Sequence, residues 1–164
     1  YNVAFIVLGT VLGIAVGIML SELRSKAKTK FFQTVILLPY LLSWVICAYI
    51  GYAFLSKESG LLNGLLTSMG LQAVDWYNDP GKWPVILIIV NIWKGIGYTS
   101  IIYMSTIIGI DKSLYEAARV DGATKWKEIR MITLPLLKST IIMLTIMNIG
   151  RIFYSDLDYS IRFR

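Results

Sequence analysis

The chain of 164 residues is 56% hydrophobic and 16% charged, with a mean hydropathy of +0.64. Soluble domains carry about a quarter charged residues, so an ordinary soluble domain is excluded. The net charge of +6, from 16 Lys and Arg against 10 Asp and Glu, reads in so apolar a chain as a signal of membrane orientation and not of nucleic-acid binding. With no histidine and a single cysteine, Cys47, the sequence offers neither a thiolate zinc set nor an intrachain disulfide, and no metal site is expected.

Tyr1 stands where an initiating methionine would, and no basic stretch precedes the first apolar run. A signal peptide is therefore not expected, and both ends read as cut. Residues 3–20 are free of charge and long enough to span a bilayer. Gly9, Gly13 and Gly17 fall four residues apart on one helical face, either letting another helix approach closely or reflecting only the abundance of glycine in membrane helices. Residues 21–30 carry Arg24, Lys26, Lys28 and Lys30, which the positive-inside rule places in the cytoplasm.

A second span is expected over residues 32–55, leaving the cytoplasm, with Pro39 and Ser43 interrupting it; Pro39 deletes a backbone donor and predicts a kink near there. Residues 56–82 form an external loop: they are rich in turn formers (Gly60, Asn63, Gly64, Gly70, Asn78, Asp79, Pro80, Gly81) and carry only Lys57 and Lys82 as cations. A short interfacial helix is expected over residues 61–69, and Trp76, Tyr77 and Trp83 make an aromatic belt at the end of the loop. The third span, residues 83–110, returns to the cytoplasm with Asn91 and Lys94 well inside it. Residues 111–138 then hold six cations and are cytoplasmic by the same rule. A fourth span begins near Leu136 and runs to Tyr154, short enough to end early or break. The expected fold class is all-α, a polytopic transmembrane helix bundle of about four spans treated as one domain over residues 1–164 with its N-terminus outside, since lipid leaves helices as the means of satisfying the backbone.

The cytoplasmic loop 111–135 is the most informative stretch. Ser113 and Glu116 have capping-box spacing, predicting a helix that starts at Ser113 and stops at Asp121-Gly122, where glycine tolerates the left-handed conformation. A second helix is expected from about Thr124, with Trp126, Ile129 and Ile132 on one side and Lys127, Glu128 and Arg130 between them; Pro135 marks a turn into the membrane. Pattern alone leaves this basic hairpin either packing on its own bundle or on anionic lipid, or gripping a partner.

Glu116-Ala117-Ala118, Asp121-Gly122-Ala123, Trp126 and Ile132-Thr133-Leu134-Pro135 match without a gap the pattern E-A-A-x-x-D-G-A-x-x-W followed by I-T-L-P. The segment resembles the EAA loop of binding-protein-dependent permeases, the membrane subunits of type I ABC importers. Leu38-Pro39, and Ile92-Trp93-Lys94 with Gly97, extend the likeness to carbohydrate-type permeases, and residues 147–156 resemble the branch handling oligosaccharides or polysaccharide fragments. The likeness stops before residues 157–164. Such permeases usually have about six spans, so terminal helices are expected beyond this chain.

The resemblance implies a multi-pass protein of a prokaryotic inner membrane that forms a path for a carbohydrate and couples to a separate cytoplasmic ATP-binding subunit. The coupling residues would be Glu116, Ala117, Ala118, Asp121, Gly122, Ala123, Trp126, Leu134 and Pro135, with Tyr115 and Trp126 filling apolar pockets of the partner. A second permease subunit, an extracytoplasmic solute-binding protein and the lipid bilayer are the other implied partners. The chain itself would bind no cofactor, the Mg-ATP residing on the ATPase. An amino acid, phosphate or other small solute is the alternative cargo. A membrane-embedded enzyme is a distant alternative, since no nucleophile–base pair or metal cluster is present, and a receptor-like protein that only binds a partner through the loop is a third reading.

Ionisable groups inside a span are costly unless wet or paired. Lys94 and Arg151, with Asn91, Trp93 and Asn148 as neighbours, are therefore candidates for the solute path; the competing reading is that both cations pair with acids or snorkel. Trp44 and Tyr49 suit a sugar ring or an interface equally well.

Overall fold

The computed structural model describes residues 2–23, 25–76, 79 and 81–162, with side chains as far as residue 150. Arg24, Tyr77, Asn78 and Pro80, and the side chains of Arg151, Asp156 and Asp158, lie outside the described residues.

Helix α1 (Asn2–Ser21) lies against α5 (Trp83–Ile108) through glycine. A Cβ added at Gly13 would stand 2.9 Å from Thr99 Oγ1, and one at Gly17 would stand 2.9 Å from Tyr103 Cβ and 3.0 Å from the Ser100 carbonyl oxygen. The two helices therefore approach to a distance that a side chain forbids. Two members of the expected glycine stripe serve this contact, whereas Gly9 meets nothing within 4 Å. The register rises together on both helices, Gly13 meeting Thr99 and Gly17 meeting Tyr103 and Met104. The helices are thus parallel, and the chain between them has to cross the membrane in the opposite direction.

That return is made by α2 (Lys26–Leu41) and α3 (Trp44–Leu55), bent by 97° at the break between them. The expected interruption of the span over residues 32–55 is present and falls between Pro39 and Ser43: Pro39 is buried inside α2, and the chain breaks after Leu41. The Leu42 N–H bonds back to the Pro39 carbonyl (3.2 Å), and the Ser43 hydroxyl caps α3 by accepting from the Ile46 N–H (3.3 Å). Proline weakens the end of one helix and serine starts another in a new direction. Three described helical stretches are each long and apolar enough to cross a membrane, Asn2–Ser21, Trp83–Ile108 and Lys125–Gly150, and the bent pair is the fourth crossing that parallel α1 and α5 require.

Between α3 and α5, α4 (Leu61–Ser68) matches the expected short helix to within a residue. Its organiser is Asn63, foreseen only as a turn former. The buried carboxamide donates to the carbonyls of Ser56 (3.3 Å), Lys57 (3.2 Å) and Val74 (2.9 Å), and accepts from the Val74 N–H (2.9 Å) and Trp76 Nε1–H (3.1 Å).

Beyond α5 come α6 (Lys112–Val120), α7 (Lys125–Glu128), one π-helical turn (Ile129–Thr133) and α8 (Leu134–Arg162). Two expectations fail here. The fourth span neither ends early nor breaks, its backbone staying helical to Arg162, and Pro135 makes no turn. The wide turn, in which the Leu134 N–H reaches back to the Ile129 carbonyl, gives the proline ring room in a continuous helix. Leu137 and Leu144 of α8 pack on Tyr103 of α5, with Ile14 of α1 against the same cluster, and the hydroxyls of Thr106 and Thr140 bond across at 3.2 Å.

Gly17→Leu should push α1 off α5 and destabilise the bundle by about 1–3 kcal/mol, the usual cost of overpacking. Gly9→Leu should be close to neutral. Thermal unfolding of the two variants in detergent measures the difference.

Candidate functional site

Helix α6 is capped by Asp111, whose carboxylate accepts the Ser113 N–H (2.9 Å). That bond favours the charged form and holds the Asp111 pKa below the ordinary carboxylate value. The expected capping box of Ser113 and Glu116 is therefore corrected: Ser113 lies inside the first turn and Glu116 is exposed. The Asp111 carboxylate, two residues earlier, already satisfies the Ser113 amide to which the Glu116 side chain would have reached back in such a box. The helix stops as foreseen. Gly122 has φ +74, its N–H bonds the Arg119 carbonyl (3.0 Å), and the Ala123 N–H bonds the Ala118 carbonyl (2.9 Å), the two bonds of a Schellman closure.

Glu128 is the residue that sequence reasoning passed over. It is 2% exposed, accepts from Arg119 Nε at 2.7 Å and pairs with Lys125 Nζ at 3.3 Å. Lys125 also bonds Glu22, beyond the end of α1, at 3.2 Å. One buried carboxylate thus ties α6 to α7, and its partner cation ties the hairpin to the first span. The Arg119 guanidinium is raised further above its ordinary pKa, first by the hydrogen bond to Glu128. The only signal in the sequence was the i, i+3 spacing of Lys125 and Glu128.

Tyr115 is likewise turned inward, its hydroxyl 2.9 Å from Thr133 Oγ1. It lines a cleft of about 590 Å³ with Ser21, Glu22, Lys112 and Arg119. The sequence expectation puts Tyr115 in a partner's pocket; here its ring is half-buried and its hydroxyl is engaged within the chain. What faces outward is Trp126, 68% exposed, and Val120, 87% exposed, together with exposed Ala117, Asp121 and Gly122. Ala118, Ala123 and Leu134 are half-buried, and Pro135 is exposed in the first turn of α8. The arrangement is a braced, apolar-tipped knob. No group of three or more metal-ligating side chains occurs among the described residues.

The second candidate group divides. Lys94 donates to the backbone carbonyls of Pro39 (3.3 Å), Tyr40 (3.3 Å) and Leu42, at the end of α2. Its ammonium stands 5.3 Å from the ring of Trp44. Neither an acid partner nor snorkelling accounts for it. Trp93 is exposed and Asn91 and Asn148 are half-buried; no side-chain hydrogen bond among the described residues joins them to Lys94. The side chain of Arg151 lies outside the described residues.

Residues 9–155 match the family described as binding-protein-dependent transport system inner membrane component. The chain is 35% identical over 137 residues to the polygalacturonan/rhamnogalacturonan transport system permease protein of Bacillus subtilis (strain 168), covering 84% of this chain and 43% of that protein. It is 30% identical over 165 residues to the lactose transport system permease protein of Rhizobium radiobacter, covering 97% of this chain and 55% of that one. A crystal structure of a bacterial ABC transporter involved in the import of the acidic polysaccharide alginate superposes with a TM-score of 0.86 at 36% identity, over 96% of this chain and 57% of the matched chain. The chain spans about half the length of these relatives. A polytopic helical bundle with a left-handed glycine at the tip of a braced hairpin, matched over most of its length, belongs to the family of binding-protein-dependent transport inner membrane components, which are transport subunits and not catalysts.

Proposed function

We propose that this chain is part of the transmembrane subunit of an ATP-driven importer, that it contributes to the path of a carbohydrate, and that it couples to a cytoplasmic ATPase through the hairpin of residues 111–135. The observation that carries the coupling role is Trp126, a large ring left bare at the tip of a hairpin whose base is locked by Glu128. Exposed aromatics on a rigid support are the usual anchors of a helix-in-groove contact. Gly122, free of a side chain and at positive φ, allows a partner close to the turn. Glu116, Ala117, Ala118, Asp121, Ala123, Leu134 and Pro135 complete the surface or hold its shape.

The carbohydrate assignment draws on the solutes named for the relatives, polygalacturonan and rhamnogalacturonan, lactose and alginate. An oligosaccharide or polysaccharide fragment is the narrower proposal. A second permease subunit and an extracytoplasmic binding protein complete the assembly; a crystal structure that this chain resembles equally, with a TM-score of 0.86, contains a periplasmic protein bound to an alginate pentasaccharide. ATP and solute then favour different global states of the complex, which is what coupling requires. Uptake of labelled oligosaccharides against amino acids, in vesicles holding the full-length permease with its ATPase and binding protein, tests the assignment; uptake of amino acids alone would overturn the cargo class.

Three variants probe the hairpin. Trp126→Ala should weaken association with the ATPase by at least about 30-fold, corresponding to roughly 2 kcal/mol or more for an anchor residue; unchanged association would count against the docking role. Gly122→Val should cost about 1–2 kcal/mol through the left-handed backbone and lower uptake while leaving the ATPase's basal hydrolysis in place. In Glu128→Gln, Arg119 and Lys125 lose their shared anion, and trypsin cleavage after either should accelerate by about tenfold, as for the loss of one charged hydrogen bond.

A further inference from the structure

We propose that Lys94 is a positioning residue that holds the break between α2 and α3 at its angle and takes no direct part in binding solute. The inference rests on the transport reading only for its kinetic arm.

A lysine ammonium has three N–H groups and no acceptor. In this protein all three find carbonyls, those of Pro39, Tyr40 and Leu42. The last carbonyls of any α-helix have no partner within the helix, and at membrane depth there is no bulk water to supply one. A cation at that end also meets the negative pole of the helix. Among the described residues Lys94 joins no salt bridge, so the helix end of α2 is its counter-charge.

The surrounding side chains form a grip on the same turn. Lys94, Gly97 and Tyr98 stand at i, i+3 and i+4 on α5 and so share one face. Gly97 gives way to the backbone of Ile36 and Leu37, which a Cβ would strike. Tyr98 stacks on Tyr40 with centroids 4.9 Å apart and planes 10° from parallel. Trp44, the first residue of α3, covers the ammonium from the far side of the break. Lys94 thus touches both halves of the broken span. The Pro39 carbonyl also accepts the Leu42 N–H, but a solute group could take the donors that serve Tyr40 and Leu42 only by removing those carbonyls' bonds to Lys94, which costs what the new bond gains.

The chain carries its own reporter, Cys47, the one cysteine of these 164 residues, buried in the first turn of α3. Alkylation of Cys47 by N-ethylmaleimide is followed by mass spectrometry of its peptide, in the full-length permease assembled with its partners in membrane vesicles. Lys94→Met should speed alkylation about tenfold or more, because removing the donors frees α3 to swing. In the same vesicles the maximal uptake rate should fall by about tenfold, with the half-saturating solute concentration changed by less than about twofold. If Lys94→Met does not accumulate, Lys94→Gln, without the charge and with two of the donors, carries the same measurements. Unchanged Cys47 reactivity, or a half-saturating concentration raised about tenfold at an unchanged maximal rate, would overturn the proposal. If the wild-type assembly takes up no carbohydrate, the transport reading fails, and Cys47 reactivity still decides the role of Lys94.

Discussion

The contact of Gly13 and Gly17 with Thr99, Ser100 and Tyr103 sets the rest of the architecture. Hydrophobicity cannot choose between neighbours in lipid, where the surroundings are as apolar as the side chains, so close backbone approach supplies the specificity. Because the two helices lie parallel, the chain between them crosses, and the ends of α1 and α5 come out on the same side. That is why Glu22 finds Lys125, more than a hundred residues away in sequence, and why both basic segments share one membrane face. The tight seam at the centre of the bundle and the ion pair at its edge are two ends of one arrangement.

At that edge the hairpin divides its residues between bracing and display. Glu128 is buried but its two cations are more than half exposed, so the pair avoids most of the desolvation that makes fully buried ion pairs unprofitable. Tyr115 and Thr133 close the base from the membrane side. Large apolar groups left in water, such as Trp126 and Val120, are destabilising for the isolated chain and stabilising for an assembly that covers them. A rigid base lowers the ordering cost when a partner docks, which fits an element proposed to transmit movement between subunits.

Within the span, the break after Leu41 raises the opposite problem, bare carbonyls where water is scarce. Lys94 answers it with a charge that is itself costly in lipid, and each group removes the other's penalty. Pro39 and Ser43 make the break permissible, and Gly97 and Tyr98 give it a fixed seat on α5.

By itself the sequence determined the membrane class, the number and order of apolar segments, and the stop of α6 at Gly122, because run length and glycine's φ preference are local properties. The EAA pattern was legible for the same reason, as a contiguous string from Glu116 to Pro135. Only the tertiary structure decided that the return span breaks after Leu41, that Lys94 serves that break, that Glu128 is a buried tie, and that Tyr115 turns inward while Trp126 stays out. Each of these depends on which groups from distant segments share a surface. A titratable side chain reads the same in sequence whether it meets solvent, a solute or the bare end of a helix; its partners, brought close by helices packing over glycine, settle which.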